Sequence, residues 1–185
     1  MSHKDTINLQ DGAGASLVAN QEVNDHVGVA GKFIVICRDS EGRILWEDGF
    51  PNLVVTTGKN DLLNKYFLGS AYTAAFFVGL KGAGTIAAGD TMASHAGWTE
   101  IIAYTNASRP AFSPASSTAG SSTNSASAAV FNINAGSVVA GCLITTSSVQ
   151  SPGTAGTLFS AADFASGGRT LQSGDTLTVT YTISC

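Results

Sequence analysis

The sequence predicts a mainly β domain: a β-sandwich or jelly-roll-like core with one or two short helices and an extended N-terminal arm. Three observations carry this. β-branched and aromatic runs recur with turn signals between them; the last segment alternates strictly, Leu177, Val179, Tyr181 and Ile183 against Thr176, Thr178, Thr180 and Thr182; and only 12% of the 185 residues are charged, while Gly, Ala, Ser and Thr abound. At this length, and with 44% hydrophobic residues, one core and one domain are expected.

The first residues lack sustained periodicity and contain Asp11-Gly12-Ala13-Gly14 and Gly28-Val29-Ala30-Gly31, which predicts an arm at 1–31 ahead of a domain at 32–185. Phe33 to Cys37, the turn signal Asp39-Ser40-Glu41-Gly42 and Arg43 to Trp46 read as a β-hairpin. After Pro51, Thr57 is placed to cap a helix running to about Leu68, with Gly69 just beyond. Its apolar stripe of Leu62, Leu63, Tyr66 and Phe67 is expected to lie on the sheet.

Phe76 to Leu80 is a second strand, and a glycine-rich stretch from Gly82 to Gly89 follows. Asp90-Thr91 then caps a single helical turn ending near His95-Ala96-Gly97, before Trp98 resumes extended structure. From Pro110 to Ala162 no side chain is charged, and Ser113 to Ser127 is almost wholly Ser, Thr, Ala, Gly and Asn. Ala128–Asn134 and Ser137–Thr146 read as strands joined in a tight hairpin at Ala135-Gly136. No repeat of fixed period is visible.

Composition excludes some partners. A net charge of -4 and a pI near 5.1 oppose direct binding to nucleic acid, which needs clustered Lys and Arg to displace counterions. The first thirty residues carry His3, Lys4, Asp5, Asp11, Glu22, Asp25 and His26 with no apolar core, so neither a secretory signal nor a membrane span is expected. Cys37, Cys142 and Cys185 are odd in number and widely spaced, which suits free thiols better than a disulfide framework. Asn106-Ala107-Ser108 is then a chance sequon.

No catalytic residue, cofactor site or metal site is assigned. His3, His26 and His95 and the cysteines are too scattered for zinc. His95 has Ser94, Asp90 and Glu100 near it in sequence, and is read as a residue that ties down a turn. Gly79-Leu80-Lys81-Gly82-Ala83-Gly84 lacks the Gly-Lys-Ser/Thr of a phosphate loop, and Gly58-Lys59 is followed by Asn60. Asp39, Glu41, Glu47 and Asp48 match no calcium loop and suggest a solvated face. Trp46, Trp98, Tyr72 and Tyr104 are read as core or interface aromatics.

The segment Asn52 to Phe67 (Asn-Leu-Val-Val-Thr-Thr-Gly-Lys-Asn-Asp-Leu-Leu-Asn-Lys-Tyr-Phe) resembles a recurring segment of tailed-bacteriophage virion structural proteins. Phe76 to Gly82, Ala88 to Glu100, Arg109-Pro110-Ala111-Phe112 and Ser173 to Tyr181 are similar to such proteins as well. The resemblance implies a non-enzymatic virion protein, made in the host cytoplasm and bound to the capsid exterior as a decoration or cement protein. The implied partners are the major capsid protein and further copies of the chain, as a homo-oligomer and specifically a trimer. It supplies no catalytic residues. The charge-free stretch is expected to pack against identical subunits or a lattice. A tail or neck component such as a fibre base, and a carbohydrate-binding or depolymerising virion module, are the alternatives; the lack of a coiled-coil heptad or β-helix repeat weakens the first, and the scarcity of carboxylates beyond residue 100 weakens an enzyme.

Overall fold

The computed structural model describes residues 28–69, 75–150 and 153–185. Along them run β1 (Ala30–Arg38), β2 (Ile44–Pro51), β3 (Leu53–Val54), α1 (Thr56–Phe67), β4 (Phe76–Lys81), β5 (Glu100–Ile101), β6 (Ala111–Phe112), β7 (Ser121–Thr123), β8 (Ala129–Asn132), β9 (Ser137–Val139), β10 (Gly141–Thr145), β11 (Leu158–Asp163), β12 (Arg169–Leu171) and β13 (Thr176–Ser184). The fold is mainly β, as its periodicities predict. The arm foreseen at 1–31 lies outside the described residues up to 27, and β1 already begins at Ala30, paired with Ser184.

Two antiparallel sheets make a sandwich. The first runs β2-β1-β13, with β7 and β8 sharing the far edge of β13; the second runs β3-β11-β10-β4, with β5 and β6 sharing the far edge of β4. β12 and β9 form a separate ribbon. The alternation read in the last segment is realised: Leu177, Val179 and Tyr181 are buried while the threonines between them are half-exposed. With Phe33, Val35 and Cys37 of β1 they face Val78, Leu80, Cys142, Ile144 and Phe159 of the second sheet in one core.

The β1–β2 hairpin forms as expected. Asp39 Oδ1 accepts the N–H groups of Glu41 and Arg43, each at 2.9 Å, and Gly42 supplies the positive φ of 82° that the turn requires. β2 runs on to Pro51, beyond the predicted end at Trp46.

The second sheet is covered on both faces. Its outer face carries a smaller cluster of Val55, Met92, Trp98, Leu143, Leu158 and Ala161, so every residue of β10 is buried. This corrects the hairpin expected at Ala135-Gly136: β8 pairs with β13 in the first sheet, whereas β10 pairs with β4 and β11 in the second. A strand apolar on both faces belongs in the middle of a doubly covered sheet, and the chain changes sheets to put it there. Much of the charge-free stretch is therefore interior to this fold. Its longest exposed run among the described residues is the neutral loop from Ser113 to Gly120.

The expected helical turn at 90–97 is replaced by non-helical turns in which Thr91 and Ser94 bond each other's backbone. The second helical element is instead a 3-10 turn at Ser125–Ser127.

Helix α1 departs furthest from expectation. Val55, not Thr57, is its N-cap, and the Thr57 hydroxyl instead donates to the Leu158 carbonyl at 2.9 Å. Gly58 is the one buried residue of α1, and a Cβ there would collide with the Phe159 carbonyl. The helix thus docks on β11 through the line Gly58, Asp61 and Lys65, small and polar, and turns its apolar stripe outward. Close backbone approach at a glycine outweighs the ordinary preference for an apolar face inward.

Candidate functional site

The residues singled out by sequence do not assemble into a catalytic group. His95 stacks on Trp98, ring centroids 4.0 Å apart, and its Nδ1 lies 3.0 Å from the Trp98 carbonyl. A carbonyl only accepts, so this nitrogen carries the proton. Asp90 Oδ2 accepts from Trp98 Nε1 at 2.8 Å and from the Ala87 N–H at 3.0 Å, so the carboxylate is engaged by the indole. The Ser94 N–H donates to Thr91 Oγ1. Asp90, His95 and Trp98 thereby fasten the segment covering the second sheet.

The glycine-rich turn after β4 has no cation to offer a phosphate. Lys81 is fully buried, and its Nζ donates to the Gly82 and Gly84 carbonyls at 3.0 and 2.7 Å and pairs with Asp163. Glu100 is claimed as well. Arg109 Nε and Nη2 donate to Glu100 Oε1 and Oε2 at 2.6 and 2.7 Å, while Nη1 and Nη2 reach the carbonyls of Ser147 and Gly153. This bidentate pair, with Arg109 entirely buried, went unforeseen. One signal was available: Arg109 is the last charge before the neutral stretch, and a lone charge bordering so much apolar sequence needs a partner.

The acidic group divides. Asp39 and Glu41 sit on the hairpin turn with Arg43, whose hydrogen bond holds the Asp39 carboxyl below its ordinary pKa. Asp48 corrects the solvated-face expectation, since it is buried between Trp46 and Phe50 and accepts from the Gly49 and Ser166 N–H groups. Trp98 and Tyr104 are core residues and Trp46 packs on Phe164; Tyr72 lies outside the described residues. Burial, then the charge of Glu100, pushes the Tyr104 hydroxyl far above its ordinary pKa. Asn106, of the sequon, is tied through its carboxamide to the Val130 carbonyl and the Asn132 N–H. Cys37 and Cys142 are buried and Cys185 is exposed, all three as free thiols. Among the described residues no three His, Cys, Asp or Glu side chains gather as metal ligands, and no helix is long and apolar enough to cross a membrane.

What the surface does present is apolar. On α1 and just beyond it, Leu62, Leu63, Tyr66, Phe67 and Leu68 are 41, 51, 80, 74 and 75% exposed. Beside them the sandwich is open between its sheets, where Leu62, Phe76, Phe112, Phe159, Tyr181 and Ile183 line a groove of about 270 Å³. A cleft of about 210 Å³ separates the helix from Phe76 and Phe159. Isolated exposed leucines are ordinary, but adjoining large apolar side chains on a rigidly seated helix are the usual mark of an interaction face. No family model matches the chain, and no curated protein is significantly similar to it.

Proposed function

We propose that the protein is a non-catalytic structural component of a tailed-phage virion, a capsid decoration protein that binds the outside of the head as a homo-oligomer, a trimer. The observation that carries this reading is the outward-facing apolar stripe of α1. It falls in the Asn52 to Phe67 segment, the part of the sequence with the most extended resemblance to virion proteins. A monomer that turns two aromatic residues and two leucines of one helix to solvent is built for association. In this reading the major capsid protein is the second partner, and the N-terminal arm read from the sequence at 1–31 adds contacts to it. Fixing each arm residue costs roughly 1–2 kcal/mol of conformational entropy, so several arms acting together are needed for durable attachment.

The test adds purified protein, full-length or lacking residues 1–27, to heads that lack it, and counts bound copies by quantitative gel and by imaging of labelled particles. Saturable binding to the head, weakened by the deletion, is the expected result. Equal binding by both forms removes the arm from the mechanism, and label confined to the tail refutes the decoration role.

A further inference from the structure

We infer that α1 is the contact between copies: its face of Leu62, Leu63, Tyr66 and Phe67 meets the same face of the other copies of this chain about the axis of the oligomer. The inference rests on the homo-oligomer reading above and names its surface.

Area favours a protein partner. Two aromatic side chains about three-quarters exposed and two leucines about half exposed amount to roughly 500 Å², a patch as large as those that mark functional faces of monomers and over half of the ~800 Å² that each partner buries in a stable complex. The face is also held in place. Gly58 against Phe159 and the Thr57 hydroxyl on Leu158 seat the helix on β11, so the stripe cannot roll inward to bury itself.

The neighbouring hollows can receive side chains: the cleft of about 210 Å³ and the groove of about 270 Å³ share Leu62, Phe76 and Phe159, and both are lined by aromatic rings. An aromatic side chain from a facing helix is an occupant of that kind, and paired anchors in pockets are how such interfaces concentrate their energy. Charge permits the meeting as well. Leu62, Leu63, Tyr66 and Phe67 carry no charge, so like faces do not repel as a uniformly charged pair would. Copies related by an axis bring the same stripe together, and flexible leucines beside aromatic rings can pack around such an axis without exact registry.

The test uses the full chain. Wild type and Tyr66→Asp/Phe67→Asp are compared by sedimentation over a concentration series, with circular dichroism and thermal unfolding checking the fold. The expected result is an oligomer for wild type and, for the folded variant, a shift to the monomer mass with at least a hundredfold weaker association. In parallel, Tyr66→Cys in a Cys185→Ser background is treated with a short bis-maleimide. It should yield covalently joined copies, whereas Ser117→Cys on the exposed neutral loop should not; this arm holds even if the double variant fails to fold. A wild-type chain that is monomeric at every concentration overturns the homo-oligomer reading and this inference together. An oligomer that survives the double substitution and does not cross-link at position 66 overturns the α1 contact alone. An oligomer that survives while binding to heads is lost assigns the face to the capsid instead.

Discussion

Replacing Arg109 by Met should destabilise the protein more than almost any other single change, and the structure sets the scale. The guanidinium is fully buried and makes two short bonds to Glu100, whose side chain is itself only 8% exposed. Methionine fills much of the volume but leaves a carboxylate without its countercharge and the Ser147 and Gly153 carbonyls without their donor. Removing one member of a buried pair typically costs about 3–5 kcal/mol. For a chain of this size each kcal/mol lowers Tm by about 2–4 °C, so a fall of roughly 6–20 °C is expected. Replacing both Glu100 and Arg109 by Met removes the orphaned charge. The double variant should lose only about 1–3 kcal/mol, chiefly for the unmet carbonyls. Urea unfolding of wild type, both single variants and the double variant, with unchanged m-values as the two-state check, measures all four corners. A loss below about 1 kcal/mol for Arg109→Met would show that water reaches Glu100 and that the site is not dry. A double variant as unstable as the two single losses added together would show that the charges do not interact.

Gly58→Ala should destabilise by about 1–3 kcal/mol even though alanine is the better helix former by about 1 kcal/mol, because its Cβ meets the Phe159 carbonyl; an unchanged or raised midpoint in urea would show that α1 is not seated there. Burial, with Asp175 and Asp39 adding to it, pushes the Cys37 thiol up to about 12, and burial pushes the Tyr181 hydroxyl up to about 12. Both groups are kept neutral by folding, so their contribution is fully present below the ordinary thiol pKa and is lost as pH rises from there toward 12. Urea midpoints should be level from pH 7 to 8 and fall above pH 9, and at pH 8 a thiol reagent should label Cys185 alone until urea is added; labelling of Cys37 in the folded protein, or midpoints level to pH 11, would contradict this.

Much of the local structure could be read in advance. The hydroxyl and apolar faces of β13, the hairpin turn at Asp39 to Gly42 and the helix ending before Gly69 are encoded by neighbours two to four residues apart. So is the fold class, since strand periodicity and turn residues act over the same short range. The mistaken hairpin at Ala135-Gly136 shows the limit. Ala129–Asn132 and Gly141–Thr145 are both good strands, and nothing within them states that one joins the first sheet and the other the centre of the second.

The candidate surface was half legible. Sequence alone determined that Leu62, Leu63, Tyr66 and Phe67 share one face of a helix, because 3.6 residues per turn places them there in any context. Only the tertiary structure decided which way that face points. Gly58 lets the helix backbone press on β11, and the polar line through Asp61 and Lys65 follows it inward. The pairing of Arg109 with Glu100 was decided in the same way, by strands and loops meeting around a buried guanidinium. Periodicity is a property of the local chain, whereas burial belongs to whichever distant segment arrives, and in this protein the distant segment of β11 left the apolar stripe of α1 facing solvent.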